Sequence, residues 1–173
     1  PVAAGGFASA APTYARIRPA YARAVIGTIK ERTARGGRVL DVAAGTGILS
    51  GQLRRAGLAV VAVEPVEEML VQLVRTLPEV PALRGVAERL PFASGSVATV
   101  AVGEAFHWFD ASVALGEARR VLCTGGLLAL AWNRRDESVD WVARYAEAVV
   151  SELPDGRPYD RLDTLEDTVR SAG

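Results

Sequence analysis

The stretch "RVLDVAAGTGILSGQL", residues 38–53, decides the fold. Its first half is an apolar run with a single acid, Asp41, which is typical of a strand. The run stops at Ala43–Gly47, where two glycines permit a tight turn. Apolar residues at helical spacing follow at once, so the stretch predicts a strand, a glycine loop and a helix.

The rest of the chain repeats the alternation of strands and helices. We predict strands over 38–44, 58–64, 82–87, 96–103 and 127–132, and helices over 21–34, 46–57, 66–77, 112–126, 139–153 and 161–173. Such alternation implies parallel pairing and right-handed crossovers. The fold class is therefore α/β, with a doubly wound, mostly parallel sheet. Ligands bind such sheets beyond the carboxyl ends of the strands.

Composition excludes several classes of function. The 173 residues carry a formal net charge of zero, so the chain has no basic excess for binding nucleic acid. Cys123 is the single cysteine, which excludes a disulfide framework, disfavours a metal site and fits a reducing cytoplasm. The longest apolar run, "GGLLALAW", is too short to cross a membrane, and no secretion signal is recognisable. We expect a cytoplasmic protein without metal, membrane or nucleic-acid partners.

The glycine loop has three interpretations. Gly45 and Gly47 could simply permit a tight turn. A dinucleotide site needs G-x-G-x-x-G, but Ser50 occupies the position of the third glycine, so that interpretation is weak. The third is a nucleoside ligand without a pyrophosphate, because Glu64 ends the second strand where an acid can accept both ribose hydroxyls.

A resemblance to a known family supports the third interpretation. The segment "VLDVAAGTGILS" resembles the first motif of class I S-adenosylmethionine-dependent methyltransferases. Ala43 replaces the usual first glycine, as in one branch of small-molecule methyltransferases (methyltransferase type 11, UbiE-like). The segments "VVAVEPVEEML", "GVAERLPFASGSVATV", "EAFHWFD" and "EARRVLCTGGLLALAWNRRDE" resemble later motifs in the expected order. The resemblance covers roughly residues 12–140 and implies a Rossmann-like methyltransferase fold with S-adenosyl-L-methionine as cofactor.

The resemblance also implies a set of cofactor-binding residues. The backbone of the glycine loop would wrap the methionine part, and Gly45 and Gly47 would keep ligand space clear, because any side chain there would occupy it. Asp41 would help hold the ammonium group, Glu64 would bind the ribose, and Met69 and Ala87 would lie near the adenine. Arg18 could pair with a carboxylate of the cofactor or substrate, or belong to an N-terminal cap held by surface packing. Glu88 would accept from the adenine amino group or would be a solvated loop acid, and these alternatives stay open. The full set is Asp41, Ala43, Ala44, Gly45, Thr46, Gly47, Glu64, Pro65, Met69, Ala87, Glu88, Glu104, Ala105, Tyr14 and Arg18.

His107 is the only histidine in the chain and the natural candidate for a general base. It lies in the aromatic segment "FHWF", so the alternative is that it only lines the pocket. Phe106 and Trp108 could cover the adenine or attract the sulfonium through a cation–π interaction.

The resemblance implies methyl transfer by in-line displacement to a small organic acceptor. Two alternatives remain: a non-catalytic binding module that keeps the fold, and a nicotinamide-dependent oxidoreductase. Binding of S-adenosylmethionine, S-adenosylhomocysteine and NAD(H) would separate the three.

We expect a single domain over residues 1–173. It would comprise N-terminal cap helices (1–35), the core sheet and helices (36–133) and C-terminal helices (134–173). Family members usually have seven strands and only five are recognisable here, so we expect that the chain is truncated after the fifth strand. The alternative is a homodimer formed through the apolar edge of that strand.

Overall fold

The computed structural model describes residues 18–151, which contain a five-stranded parallel sheet and flanking helices. The strands are β1 (Arg38–Val42), β2 (Ala59–Glu64), β3 (Ala82–Arg84), β4 (Val97–Gly103) and β5 (Leu122–Ala131). The helices are α1 (Arg23–Arg32), α2 (Ile48–Arg55), α3 (Glu67–Thr76), α4 (Ala111–Val121) and α5 (Asp140–Ser151), with a short 3₁₀ turn at Phe106–Trp108.

The strand order β3-β2-β1-β4-β5 confirms the predicted doubly wound sheet. The chain winds from β1 outward to β3, then returns to the other side of β1 with β4 and continues to β5. The order therefore reverses between β1 and β4, and in open α/β sheets this is where ligands bind. The glycine loop after β1 and the segment after β4 both lie at this point.

The sheet forms the centre of the core. Val39 and Leu40 of β1 are fully buried, and every residue of β4 from Val97 to Val102 is buried. Near-continuous apolar strands of this kind are expected where helices cover both faces of a sheet. Leu53 of α2 and Leu73 of α3 are also fully buried, so these two helices pack their apolar faces into the same core.

The start of β5 was predicted wrongly. The sequence predicted a helix as far as Gly126, but α4 ends at Val121 and the strand begins at Leu122, which pairs with Val97. The register then shifts between Val97 and Thr99, and Gly125 has a φ of 73° in the same region. The glycines therefore accompany an irregularity within a strand and do not end a helix.

The chain divides into two compact units, one ending at Trp132 and the other beginning at Asn133. Within the second unit the guanidinium of Arg135 lies 4.9 Å from the centre of the Tyr145 ring, a cation–π contact. The predicted helix over 161–173 lies outside the described residues, and the single-domain organisation stays a prediction. Between residues 18 and 151, no helix is long and apolar enough to cross a membrane.

Candidate active site

The loop Ala43–Gly47 turns sharply from β1 into α2. Ala43, Gly45 and Gly47 all have positive φ, at 55°, 57° and 87°. The Gly47 N–H donates to the Ala44 carbonyl at 2.9 Å, and the Ala44 N–H donates to the Val63 carbonyl of β2 at 3.1 Å. Because an alanine in this region costs energy, the surroundings must impose the conformation at Ala43.

The two loop glycines are required for different reasons. A Cβ added at Gly45 would meet no heavy atom within 4 Å, so open space lies beside this backbone. A Cβ added at Gly47 would lie 2.7 Å from Leu77 Cδ1 and 2.9 Å from Leu73 Cγ. We expected both glycines to keep ligand space clear. The geometry fits that reason at Gly45, whereas Gly47 allows the loop to pack closely against Leu73 and Leu77.

The Glu64 carboxylate joins the ends of two neighbouring strands. Its Oε2 accepts the Gly45 N–H at 2.7 Å, and its Oε1 accepts the Val66 N–H at 2.8 Å. Burial raises the pKa of this carboxyl above its ordinary value, although the two hydrogen bonds act in the opposite direction. A carboxylate has about four lone-pair sites, so both oxygens retain capacity to accept from a ligand.

Asp41 is a second acid beneath the loop and is only 1 % exposed. The Ser50 hydroxyl donates to its Oδ2 at 2.6 Å. Its Oδ1 is buried and has no hydrogen-bond partner, and the same holds for Thr46 Oγ1. Burial raises the pKa of Asp41 to about 7, and the neighbouring Glu64 charge adds to the shift. Such unpaired buried groups are uncommon and indicate that a partner is missing.

A cavity of about 580 Å³ opens at the ends of β2 and β3, and its lining begins at Pro65, the residue after Glu64. Its lining combines two arginines with mostly apolar residues and one glycine. These are Pro65, Arg84, Gly85, Val86, Arg89, Leu90 and Pro91. The cavity therefore begins one residue after the acid that ends β2, and its mixed lining could receive the base attached to a ribose.

Three other residues of the predicted cofactor-binding set differ in position. Pro65 lines the cavity, whereas Met69 in α3 and Ala87 after β3 are buried. Glu88 Oε1 accepts the Asp110 N–H at 3.0 Å and so helps to fix the segment before α4.

A third acid, Glu104, follows β4 directly. Its φ is 58°, and its N–H donates to the carbonyl of Ala131 at the end of β5 at 2.9 Å. The side chain is 8 % exposed, and its Oε2 lies 3.7 Å from Arg18 Nη1. Arg18 was predicted to pair with a carboxylate of the cofactor or substrate, and in this structure it pairs with Glu104.

Residues 18–21 lie against the same edge of the sheet. The Gln52 side chain of α2 makes two hydrogen bonds of 2.8 Å with the backbone of Tyr21, accepting from its N–H and donating to its carbonyl. The Tyr21 ring lies directly against Gly103, where any Cβ would overlap its hydroxyl. Sequence reasoning missed Gln52, whose only signal is a polar residue between the buried Gly51 and Leu53 of α2.

The segment after Glu104 brings aromatic groups to this edge. Ala105 and Phe106 are buried, and the Phe106 ring meets Phe109 edge to face, with centroids 5.5 Å apart. Trp108 is 59 % exposed, and its ring centroid lies 4.8 Å from that of His107. Phe106 is therefore a packing residue, whereas Trp108 is accessible to a ligand.

The structure thus brings most of the predicted residues to one edge of the sheet. Asp41, the glycine loop and Glu64 form one group at the ends of β1 and β2. Glu104, Ala105 and His107 form another at the end of β4, with Arg18 beside them. Tyr14 lies outside the described residues. Residues 18–151 contain no group of three or more His, Cys, Asp and Glu side chains that could hold a metal ion.

Comparison with known proteins agrees with this geometry. Residues 40–130 match the family model described as a methyltransferase domain. An uncharacterized methyltransferase of Mycobacterium tuberculosis is 46 % identical over 143 residues, which are 83 % of this chain and 58 % of the relative. A demethylmenaquinone methyltransferase of Beutenbergia cavernae is 39 % identical over 97 residues, or 56 % of this chain and 40 % of that protein.

A solved structure extends the similarity to three dimensions. It comes from Anaeromyxobacter dehalogenans and is provisionally assigned as a type II methyltransferase. The TM-score is 0.69 and the identity 29 %, over 83 % of this chain and 63 % of the other. This chain spans 58 % of the length of its mycobacterial relative. Since the family model matches more than half of the chain, the protein belongs to the methyltransferase domain family.

Proposed function

We propose that the protein catalyses S-adenosylmethionine-dependent methyl transfer to a small organic acceptor. The observation that carries the proposal is the position of Glu64, which joins the glycine loop to the end of β2 beside a cavity. Family membership and the sheet topology point to the same function.

The residues present fit this cofactor. Asp41 Oδ1 and Thr46 Oγ1 are buried acceptors without partners near the loop, and open space lies beside Gly45. The methionine part carries an ammonium group, which a carboxylate can hold through charge-assisted hydrogen bonds. Glu64 would accept from the ribose hydroxyls, and the recess lined by Pro65 and Val86 would receive the adenine.

When bound, S-adenosylmethionine supplies a methyl group that is already activated by its sulfonium. The tasks left to the chain are to align the acceptor with that methyl and to exclude water. Residues 18–21, Glu104 and Trp108 lie where they could carry out these tasks, at the edge of the sheet beside the glycine loop.

We further propose that the acceptor is a small molecule with an apolar or aromatic part. The accessible Trp108 ring supports this, because an exposed indole offers a flat apolar surface for stacking. The ion pair between Arg18 and Glu104 lies at the same end of the sheet and offers polar groups.

Isothermal titration calorimetry tests the function. We expect S-adenosylmethionine and S-adenosylhomocysteine to bind and NAD(H) to give no heat of binding. Transfer of label from methyl-labelled cofactor to members of a small-molecule library would then identify the acceptor. Binding of S-adenosylhomocysteine without turnover on any acceptor would favour a non-catalytic module, and binding of NAD(H) alone would contradict the proposal.

A further inference from the structure

His107, in the 3₁₀ turn after β4, and Trp132, the residue after β5, form a side-chain pair. The indole Nε1–H of Trp132 donates to His107 Nδ1 at 3.4 Å, a long hydrogen bond. An indole nitrogen can only donate. The His107 nitrogen that faces it must therefore carry a lone pair, which puts the proton of the neutral imidazole on Nε2.

Both residues are held by the backbone around them. Gly103 pairs with Ala131 in the β4–β5 register, so Trp132 follows the paired part of β5 directly. His107 lies in the 3₁₀ turn, in which the Trp108 N–H donates to the Ala105 carbonyl at 2.9 Å. The pair thus spans two strand ends that the sheet already fixes.

We propose that Trp132 is a positioning residue that holds His107 in the tautomer with its proton on Nε2, so that His107 acts as a hydrogen-bond donor and not as a general base. The lone pair on Nδ1 is occupied by the indole. Any group that meets Nε2 must then accept a hydrogen bond. A proton could be taken up at Nδ1 only after the contact with Trp132 is broken.

This arrangement restricts the acceptor chemistry, an extension that rests on the proposed function. A donor at the end of β4 suits an acceptor molecule that presents an oxygen lone pair, as in a hydroxyl, carbonyl or carboxylate group. His107 then cannot take a proton from the acceptor, so the group attacking the methyl must be nucleophilic in its bound form or lose its proton to another base or to solvent.

Because the chain contains one histidine, nitrogen NMR can test the tautomer without assignment. The protein would be labelled with ¹⁵N-histidine, freed of any polyhistidine tag and measured at about pH 8.5, above the ordinary titration range of histidine. We expect Nε2 to be protonated and Nδ1 unprotonated, with a stronger bias than in a histidine-containing peptide. A proton on Nδ1, or a doubly protonated ring, would overturn the proposal.

Two variants make the test specific to Trp132. In Trp132→Phe the tautomer populations should shift toward the peptide values, because the donor is gone while a ring is kept. Trp108→Phe is the matched control and should leave the populations unchanged, since the Trp108 contact is one of packed rings. Identical spectra for Trp132→Phe and the wild type would overturn the proposal.

A second experiment measures the hydrogen-bond donor, the indole N–H of Trp132, directly. In protein labelled with ¹⁵N-tryptophan, the Trp132 indole proton should exchange slowly with solvent, and His107→Phe should accelerate its exchange several-fold. Unchanged exchange would contradict the hydrogen bond. None of these measurements needs cofactor or acceptor, so their failure would not be confused with failure of the proposed function.

Discussion

The carboxylate of Glu64 accepts the backbone N–H of Gly45 at 2.7 Å, although the two residues lie 19 positions apart in the sequence. The other carboxylate oxygen accepts the Val66 N–H. One acid thus ties the loop after β1 to the segment after β2. Both carboxylate oxygens retain capacity to accept from a ligand, and the next residue, Pro65, lines the cavity, so Glu64 is the residue most directly open to test.

We expect Glu64→Ala to weaken S-adenosylhomocysteine binding by about 1.5–3 kcal/mol, the range for hydrogen bonds to a charged group. Calorimetry on protein shown by circular dichroism to be folded would measure this. Glu68→Ala is the matched control, because Glu68 is an exposed acid on the next helix and should leave the affinity unchanged. Equal affinity in wild type and Glu64→Ala would remove Glu64 from the site.

The raised pKa of Asp41 predicts how the stability of the protein depends on pH. Its pKa is raised from 3.8 to about 7 by burial, so the folded state binds a proton that the unfolded state releases. Its contribution to stability is complete below the unfolded pKa and is lost as the pH rises through the folded value. Between about pH 4 and 8 the free energy of unfolding should therefore lose on the order of a few kcal/mol from this group.

Urea unfolding of the wild type and Asp41→Asn across this range would isolate the effect, because the amide does not titrate. The stability of the wild type relative to the variant should fall as the pH rises. A constant difference would show that Asp41 has an ordinary pKa. Cofactor binding near pH 6.5 should also release protons, since an ammonium beside Asp41 favours the carboxylate.

Replacing Ala43 by glycine should stabilise the folded protein. Its φ of 55° costs an alanine roughly 1–2 kcal/mol, which exceeds the entropic cost of a glycine. We expect Ala43→Gly to raise the free energy of unfolding by about 0.5–1 kcal/mol. Ala44→Gly is the control: Ala44 is not among the positive-φ residues of the described chain, so that change should destabilise. Destabilisation by both changes would contradict the account.

Arg120 and Glu117 of α4 hold the loop that lines the cavity. Arg120 donates to the carbonyls of Leu90 and Phe92 at 3.0 and 2.8 Å, while Glu117 accepts the Leu90 N–H at 2.8 Å. The Arg120 hydrogen bond lowers the pKa of Glu117 to about 2. The ionised Glu117 therefore stabilises the fold at any pH above the ordinary pKa of a glutamate. This stabilisation is lost only as the pH falls through about 2.

In Arg120→Lys, a single ammonium replaces the planar fork and cannot keep all these contacts. Hydrogen exchange of the amides over 88–92 should accelerate, and S-adenosylhomocysteine affinity should fall several-fold. Arg119→Lys, at the exposed neighbouring position, should change neither quantity. Loop exchange equal to that of the wild type would show that Arg120 does not hold the loop.

The sequence alone predicted the parts of the fold that follow from local pattern. Five strands, the glycine loop and the positions of Asp41 and Glu64 follow from apolar runs and from turn residues at their ends. The start of β5 was missed, because Leu122–Gly126 extends a helical pattern and only pairing with β4 makes it a strand. Local propensity does not contain that information.

The contacts within the site were predictable only in part. The motif spacing brought Glu64 to the loop, but the bond between Tyr21 and Gln52 and the pair of Trp132 with His107 join residues that are 31 and 25 positions apart. Such pairings depend on strand order and register, so a single sequence gives no signal for them. Trp132 could have been suspected only because it ends the strand predicted over 127–132, at the binding edge of the sheet.

A crystal structure with S-adenosylhomocysteine at saturating concentration tests the central claim most directly. We predict that the ribose hydroxyls lie within hydrogen-bond distance of Glu64, with the amino-acid part against the backbone of Ala43–Gly47. Density for the ligand at another place, or a loop and cavity left empty at saturation, would contradict the assignment of this site.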